Sequence, residues 1–238
     1  MSLTERVRKA NMLLVLCRVL ISTCLAGFSC ASDDYPWLTD LDSGPGVKAS
    51  GLRLMNLNPG LHPLERTTAH VNKLLIGVHG FGSKGYEWIY PLQTLDDENT
   101  LTFFHRWNTF RCTNNASAEM ALLLRTLLAT HTHVESVEII GHSYGGLVAV
   151  GFIAHWEQEV PTQIHSVAAP LAGTGSGCAN TLPRLLPSNI EVTQWRTIHA
   201  LDNAFKDWPT DPQICLLYTS DAAAERSSVD LGGRRIIK

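Results

Sequence analysis

Apolar residues in this chain fall into two kinds of run. Short continuous ones, centred near Ile76, Phe103, Ile139, Val167 and Thr197, have the length and composition of buried strands. Longer ones repeat every three or four positions. Residues 116–131 set Met120, Leu123, Leu124, Leu127 and Leu128 on one side of a helix, and residues 144–159 do the same with Leu147, Val148, Phe152, Ile153 and Trp156. The first stripe reads as core packing rather than a lipid-binding surface. Alternating strands and helices predict a mostly parallel sheet with helices on both faces, because parallel neighbours have to be joined by a crossover. Residues 36–61, rich in Gly, Pro and Asp, form a leading segment without either pattern.

One strand-to-helix junction carries chemistry. Val137-Glu138-Ile139-Ile140 runs straight into Gly141-His142-Ser143-Tyr144-Gly145, so a serine sits on a sharp turn between glycines. The spacing has a physical reason: such an elbow holds its serine in a strained conformation, and a side chain two residues away on either side would collide with the backbone. Gly146 extends the clearance into the helix. Strand, turn and helix stand in the required order, which separates this match from a chance Gly-x-Ser-x-Gly before a buried helix. Ser143 is therefore the candidate nucleophile.

A second strand pattern, Lys73-Leu74-Leu75-Ile76-Gly77-Val78, opens into His79-Gly80-Phe81-Gly82-Ser83. Glycines leave backbone N–H groups uncovered, and acyl transfer uses two such donors at the oxygen that becomes negative, each worth roughly 3 kcal/mol of barrier. The N–H groups of Phe81 and of Tyr144, the residue after the serine, are the candidate oxyanion donors. His79 is expected to order the loop rather than transfer protons. Phe81, Tyr86, Trp88, Tyr144 and Leu171 are candidates to line an apolar acyl pocket, and the small-residue stretch 169–177 to frame the acyl or alcohol site.

Together, Val78-His79-Gly80-Phe81-Gly82 and Gly141-His142-Ser143-Tyr144-Gly145-Gly146 resemble the α/β-hydrolase superfamily. Within it the chain is similar to bacterial lipase-like and esterase-like members, including those grouped with GPI inositol-deacylase-like hydrolases. The resemblance spans residues 54–214, and its motifs are specific for the superfamily but not for a substrate. It implies the α/β-hydrolase fold and cleavage of carboxylic esters, of lipid or short acyl type, through a Ser-Asp-His triad whose acid and histidine follow the serine in that order.

For the acid, residues 192–198 read as a late strand and Asp202 lies just past its end, at the sheet edge where active-site side chains gather. Asp207 and Asp211 are rivals in the same loop. No histidine follows any of them. His199 precedes Asp202 and so stands in the wrong order to be the general base, while His105, His131, His133, His155 and His165 fall on predicted strands or helices away from that edge. Residues 215–238 resemble the translation of a sequencing adapter and show no periodicity that completes a core, so they are expected to be a non-native tail. On this reading residues 32–214 are an α/β-hydrolase domain truncated before its final strand and helix, and the fragment is expected to be inactive.

The amino terminus adds an address. Arg6, Arg8 and Lys9 precede the apolar stretch 12–28, and Ser29-Cys30-Ala31 offers a small-residue cleavage site, so residues 1–31 predict an export signal or membrane anchor. Arg18 interrupts the stretch, and Cys24 and Cys30 keep a lipidated form open. An exported, periplasmic, secreted or membrane-anchored protein follows, with membrane association through this segment. Two cysteines remain in the native mature part, Cys112 and Cys178, and an oxidising compartment permits a disulfide between them; two unpaired buried thiols are the alternative.

Composition excludes other classes. With 45% hydrophobic and 17% charged residues and a net charge of −3, the chain is an ordinary globular one with no general attraction to nucleic acid. The histidines lack metal-ligand spacing and no Gly-rich loop ends in Gly-Lys-Ser/Thr, so neither metal nor cofactor is expected, and the partner is a small-molecule ester or lipid. A non-catalytic scaffold with a hydrolase fold, and a thioesterase or amidase, are the competing readings.

Overall fold

The computed structural model describes residues 35–66, 71–172, 182 and 185–214. The chain divides into two units, Met1–Tyr35 and Pro36–Lys238, and all that follows concerns the second. The expected leader, Cys178 and the tail from Cys215 lie outside the described residues.

Six strands form one sheet in the order β1-β3-β2-β4-β5-β6. β2 (Lys73–Val78), β3 (Thr100–Arg106), β4 (Ser136–His142), β5 (Thr162–Val167) and β6 (Ile190–Trp195) are parallel, and β1 (Gly60–Pro63) runs antiparallel against β3. The helices are α1 (Val47–Met55), α2 (Tyr86–Leu95), α3 (Thr113–Thr130) and α4 (Tyr144–Gly151). This is the mostly parallel α/β sheet that the alternation predicts, with helices on both faces. From β2 the chain crosses outward to β3, and from β4 it crosses outward the other way to β5. The carboxyl ends of β2 and β4 therefore flank the point where strand order reverses, which is where open α/β sheets leave a crevice.

The core explains why the strands read as continuous apolar runs. In β2, Leu74, Ile76 and Val78 join α3 and α4 in one buried cluster, while Leu75 packs with Phe104, Trp88 and Leu92 under α1 and α2. Both faces of β2 are covered, so every residue after Lys73 is buried. β4 alternates instead: Val137, Ile139 and Gly141 are buried and their neighbours half-buried. On that less covered face Glu138, Ile140, His165, Val167 and Trp195 line a hollow of about 360 Å³ with Leu95, Arg196 and Thr197. A polar ladder crosses it. Lys73 Nζ lies 2.5 Å from Glu138 Oε2, and Glu138 Oε1 lies 3.2 Å from His165 Nε2. The Trp195 indole N–H donates to His165 Nδ1 at 3.2 Å, which leaves the proton on Nε2 to face the carboxylate.

Several boundaries differ from the pattern-based expectation. The leading segment contains α1 and β1; the helix is hidden by the Gly-rich turn before it, where Asp42 accepts from the N–H groups of Gly44 (2.6 Å) and Gly46 (2.8 Å). The helix expected over 144–159 ends at Gly151 and continues as the 3-10 turn Phe152–His155. Gly151 lies so close to α3 that a Cβ there would be 2.7 Å from Ser117 Oγ. β6 stops at Trp195 because the Thr197 N–H turns aside to the Gln213 side chain at 2.9 Å. Among the described residues no helix is long and apolar enough to cross a membrane. Cys112, at the start of α3, is disulfide-bonded.

Hydrogen bonding from His165, assisted by Lys73, outweighs burial and holds the Glu138 carboxyl down at about 2. A depressed carboxyl stabilises the fold above its unfolded pKa, and that contribution is lost as pH falls toward its folded value. Stability is therefore expected to fall by about 3 kcal/mol between roughly pH 4.5 and 2 on account of this group. Urea titrations across that range should show the decline in the native chain and a flatter limb in Glu138→Gln.

Candidate active site

β4 ends at His142 and the chain turns on Ser143 into α4. Ser143 has φ 53° and ψ −123°, a region that side chains avoid and that costs about 1–3 kcal/mol. Tertiary contacts hold it there. Its N–H donates to Val167 O at 2.8 Å, and its carbonyl accepts from Gly146 N–H at 2.9 Å. A Cβ on Gly145 would lie 2.1 Å from Val78 O, and one on Gly141 would lie 2.4 Å from Gly145 O. Helix, turn and the last carbonyl of β2 thus meet with no room for a side chain, which is the clearance the glycine spacing implies. The serine itself is half-buried.

The loop after β2 lies against this turn. A Cβ on Gly80 would be 3.0 Å from His142 O and 3.1 Å from Ser143 Cβ. Phe81 and Tyr144 bring their rings to 6.1 Å. Neither the Phe81 nor the Tyr144 N–H donates to a protein acceptor among the described residues, so both candidate oxyanion donors are uncommitted.

His79 fastens that loop. Its ring is fully buried between Phe104 and Trp107, with Nδ1 2.9 Å from Gly80 O and Nε2 accepting the Trp107 N–H at 3.2 Å. The Trp107 indole returns a hydrogen bond to His79 O at 2.7 Å. Burial, reinforced by the Arg106 guanidinium, pushes the imidazole down to about 4, so it is neutral at physiological pH and donates through Nδ1. The expectation that His79 orders the loop has this arrangement behind it.

Asp202 follows the 3-10 turn His199–Leu201, past β6. Its carboxylate accepts from the Thr197 hydroxyl and from Ala204 N–H at 2.8 Å. It is close enough to act on His142, whose pKa is lowered by burial and pulled back upward by Glu87 and Asp202. Asp202, Glu87 and the residue before Ser143 thus share one edge. Asp211 is likewise bonded, its Oδ1 accepting from Gln213 N–H at 2.9 Å and from Nε2 at 3.2 Å, and Asp207 is exposed. His199 gives its Nε2 to Phe205 O at 2.7 Å, and His165 belongs to the ladder under the sheet.

Two expectations need correction or addition. Trp88 does not line a pocket: it is buried beneath α2 in edge contact with Phe104, because Gly77 leaves the space its ring fills. Glu87, Thr197 and Gln213 were not singled out by the sequence pattern, since nothing local marks a loop residue that a distant strand end will meet. Ala168 is likewise unmarked, yet it has φ 48°, and its N–H donates to Trp195 O at 2.8 Å beside the elbow.

No protein-family model matches the chain, and no curated protein does. Among solved structures, it is similar to esterase B from Lactobacillus rhamnosis with a tributyrin phosphonate (TM-score 0.37, 14% identity, 49% of this chain and 45% of that one). It is also similar to LpqC, a poly(3-hydroxybutyrate) depolymerase from Bordetella parapertussis (TM-score 0.37, 12% identity, 54% and 56%). The epoxide hydrolase CorEH matches at TM-score 0.30 and 21% identity, over 48% and 42%. The chain spans about half the length of the structures it matches. Likenesses this slight leave the chemistry to be read from the site itself.

Gly145→Ala is expected to cost about 3 kcal/mol or more in urea unfolding, because backbone must move to admit the methyl. Gly82→Ala, with φ 69° and nothing within 4 Å, should cost only about 1 kcal/mol. His79 makes a second prediction. Since its folded pKa lies below the unfolded one, the unfolded chain binds the proton first, and stability is lost as pH falls from about 6.5 to about 4. His79→Asn should weaken the fold at pH 7 and flatten that limb in thermal melts.

Proposed function

We propose that this is a serine hydrolase of carboxylic esters, of lipid or short acyl type, with Ser143 as nucleophile, Asp202 as triad acid and the Phe81 and Tyr144 amides as oxyanion donors. The observation that carries the reading is the strained Ser143 at the sheet's crossover point, with the Gly80 loop packed on it and two amides uncommitted beside it. In the step this supports, Ser143 Oγ attacks the ester carbonyl carbon while a neutral imidazole takes its proton. The carbonyl oxygen becomes negative between the two amides, and the tetrahedral centre collapses with loss of the alcohol, which receives the proton. Water then repeats the sequence on the acyl-serine.

The imidazole is the missing part. No histidine follows Asp202 in this sequence, and the rings of His79 and His199 are bonded to Gly80 O and Phe205 O. The reading requires an imidazole within reach of Ser143 Oγ, as loss of a triad member costs several orders of magnitude. Cleavage of a thioester or amide by the same groups is separated by matched acyl donors.

The test is covalent labelling by a fluorophosphonate. The complete protein should label, Ser143→Ala should not, and Asp202→Asn should slow labelling by about 10³-fold or more. Undiminished labelling of Ser143→Ala ends the assignment. No labelling at Ser143 in the complete protein decides for a non-catalytic scaffold with this fold.

A further inference from the structure

The hollow over β4, β5 and β6 has charge at both ends, and only one end is balanced. Ile140, Val167 and Leu95 give it apolar walls, and the Trp195 ring closes one side. That ring is fixed in place, because its indole N–H is bonded to His165 Nδ1 and the two rings stand tilted with centroids 6.2 Å apart. At one end Glu138 has Lys73 as its counter-charge and His165 as its donor. At the other end Arg196 lines the hollow, and its Nε is shielded from solvent with no acceptor in reach. Among the described residues this guanidinium makes neither a hydrogen bond nor an ion pair.

A shielded donor without an acceptor is unfavourable, and native proteins leave few of them unsatisfied. At about 360 Å³ the hollow falls in the range of sites that hold small organic molecules, about 300–1,000 Å³. Its charges select the guest. A monoanion neutralises Arg196, whereas a dianion would add a surplus negative charge to a hollow that already contains Glu138. A carboxylate is the monoanion whose two oxygens match the planar guanidinium fork with parallel hydrogen bonds. Glu138 then sets the direction in which the guest lies. It stands level with Gln163 and Glu191, while Arg196 comes after Trp195, which is level with Val167 and follows the row of Gly141. The two charges are therefore roughly 15 Å apart along the strands. An anion seated at Arg196 keeps clear of Glu138 and lays its body along Val167 and Ile140.

We propose that this hollow binds a small monocarboxylate with an apolar body, its carboxylate on Arg196 and its body between Ile140, Val167, Leu95 and the Trp195 ring. The site is distinct from the elbow. Neither Ser143, Phe81 nor Tyr144 lines it, and Ile140 faces the side of the sheet opposite α4, whose residues pack with Ile139. Binding there stands whether or not the chain is a hydrolase.

The test uses octanoate on the full chain, with octanol and octylammonium as its neutral and cationic counterparts. Binding is read from the Trp195 emission, taken as the difference from Trp195→Phe, and independently by calorimetry. Octanoate is expected to change the Trp195 emission saturably and to bind about tenfold or more tightly than octanol, with octylammonium weaker still. Arg196→Gln should erase the preference for octanoate over octanol, and Arg196→Lys should restore part of it. Arg125→Gln, on the helix α3 that covers the other face, should leave the preference unchanged. Ser143→Ala should bind like the native chain. Equal binding of octanoate and octanol by the native chain overturns the proposal, whatever the folding of the Arg196 variants. Calorimetric heat without a change in Trp195 emission overturns it too, since the guest then sits elsewhere, the Ser143 edge included. A Trp195 that is closed to aqueous acrylamide before any addition, and that octanoate leaves unmoved, would mean that the chain itself or a second copy covers the hollow, and the proposal fails.

Discussion

Everything at the candidate site depends on one close approach, that of Gly145 to the last carbonyl of β2. The helix after the elbow can begin where it does only because nothing stands between its backbone and Val78 O. That contact fixes the distance between the elbow and the loop after β2, and so brings Gly80 against Ser143. The strain at Ser143 is sustained by the same packing, together with the hydrogen bond to Val167. A local turn propensity would not hold a serine at that dihedral pair.

The support behind the site is polar and buried. His79 connects the Gly80 carbonyl to the backbone of Trp107 at the end of β3, and Trp107 closes the circuit through its indole. In a dry interior such hydrogen bonds hold their geometry well, and the low imidazole pKa keeps the ring in the one protonation state that satisfies all of them. The loop that carries Phe81 is thereby tied to the strand beyond its own, so the position of the Phe81 amide is set by the β2–β3 register as much as by the glycines around it.

The parallel sheet, its two helical layers and the elbow were legible because each rests on a pattern with a short period or a fixed spacing. β2 is covered on both faces and read as an unbroken apolar run, and Gly141 and Gly145 stand where contact with backbone forbids anything larger. β1 was not legible: it is four residues long, half-buried throughout and contains a proline. Trp88 was misread because an aromatic residue near an active-site loop gives no sign of which side of its helix meets the core. Glu87, Thr197 and Gln213 acquire their places only when β6 and α2 are brought to the same edge, which is tertiary information. The acid is one of three in the sequence, and hydrogen bonding in the fold does not separate them: Asp202 accepts from Thr197 and Ala204, and Asp211 from Gln213.

The strained serine also bears on the order in which the molecule assembles. A dihedral pair of that kind is unfavourable in an isolated segment, so the turn gains nothing by forming early, before Val78 has paired with Gly141 and Val167 with His142. Those pairings join stretches far apart in the chain and are slow to find one another. The elbow should therefore appear in the last kinetic phase of refolding, after secondary structure has been recovered, and a partly folded intermediate would hold a helical signal while its serine is still in an ordinary, unstrained turn.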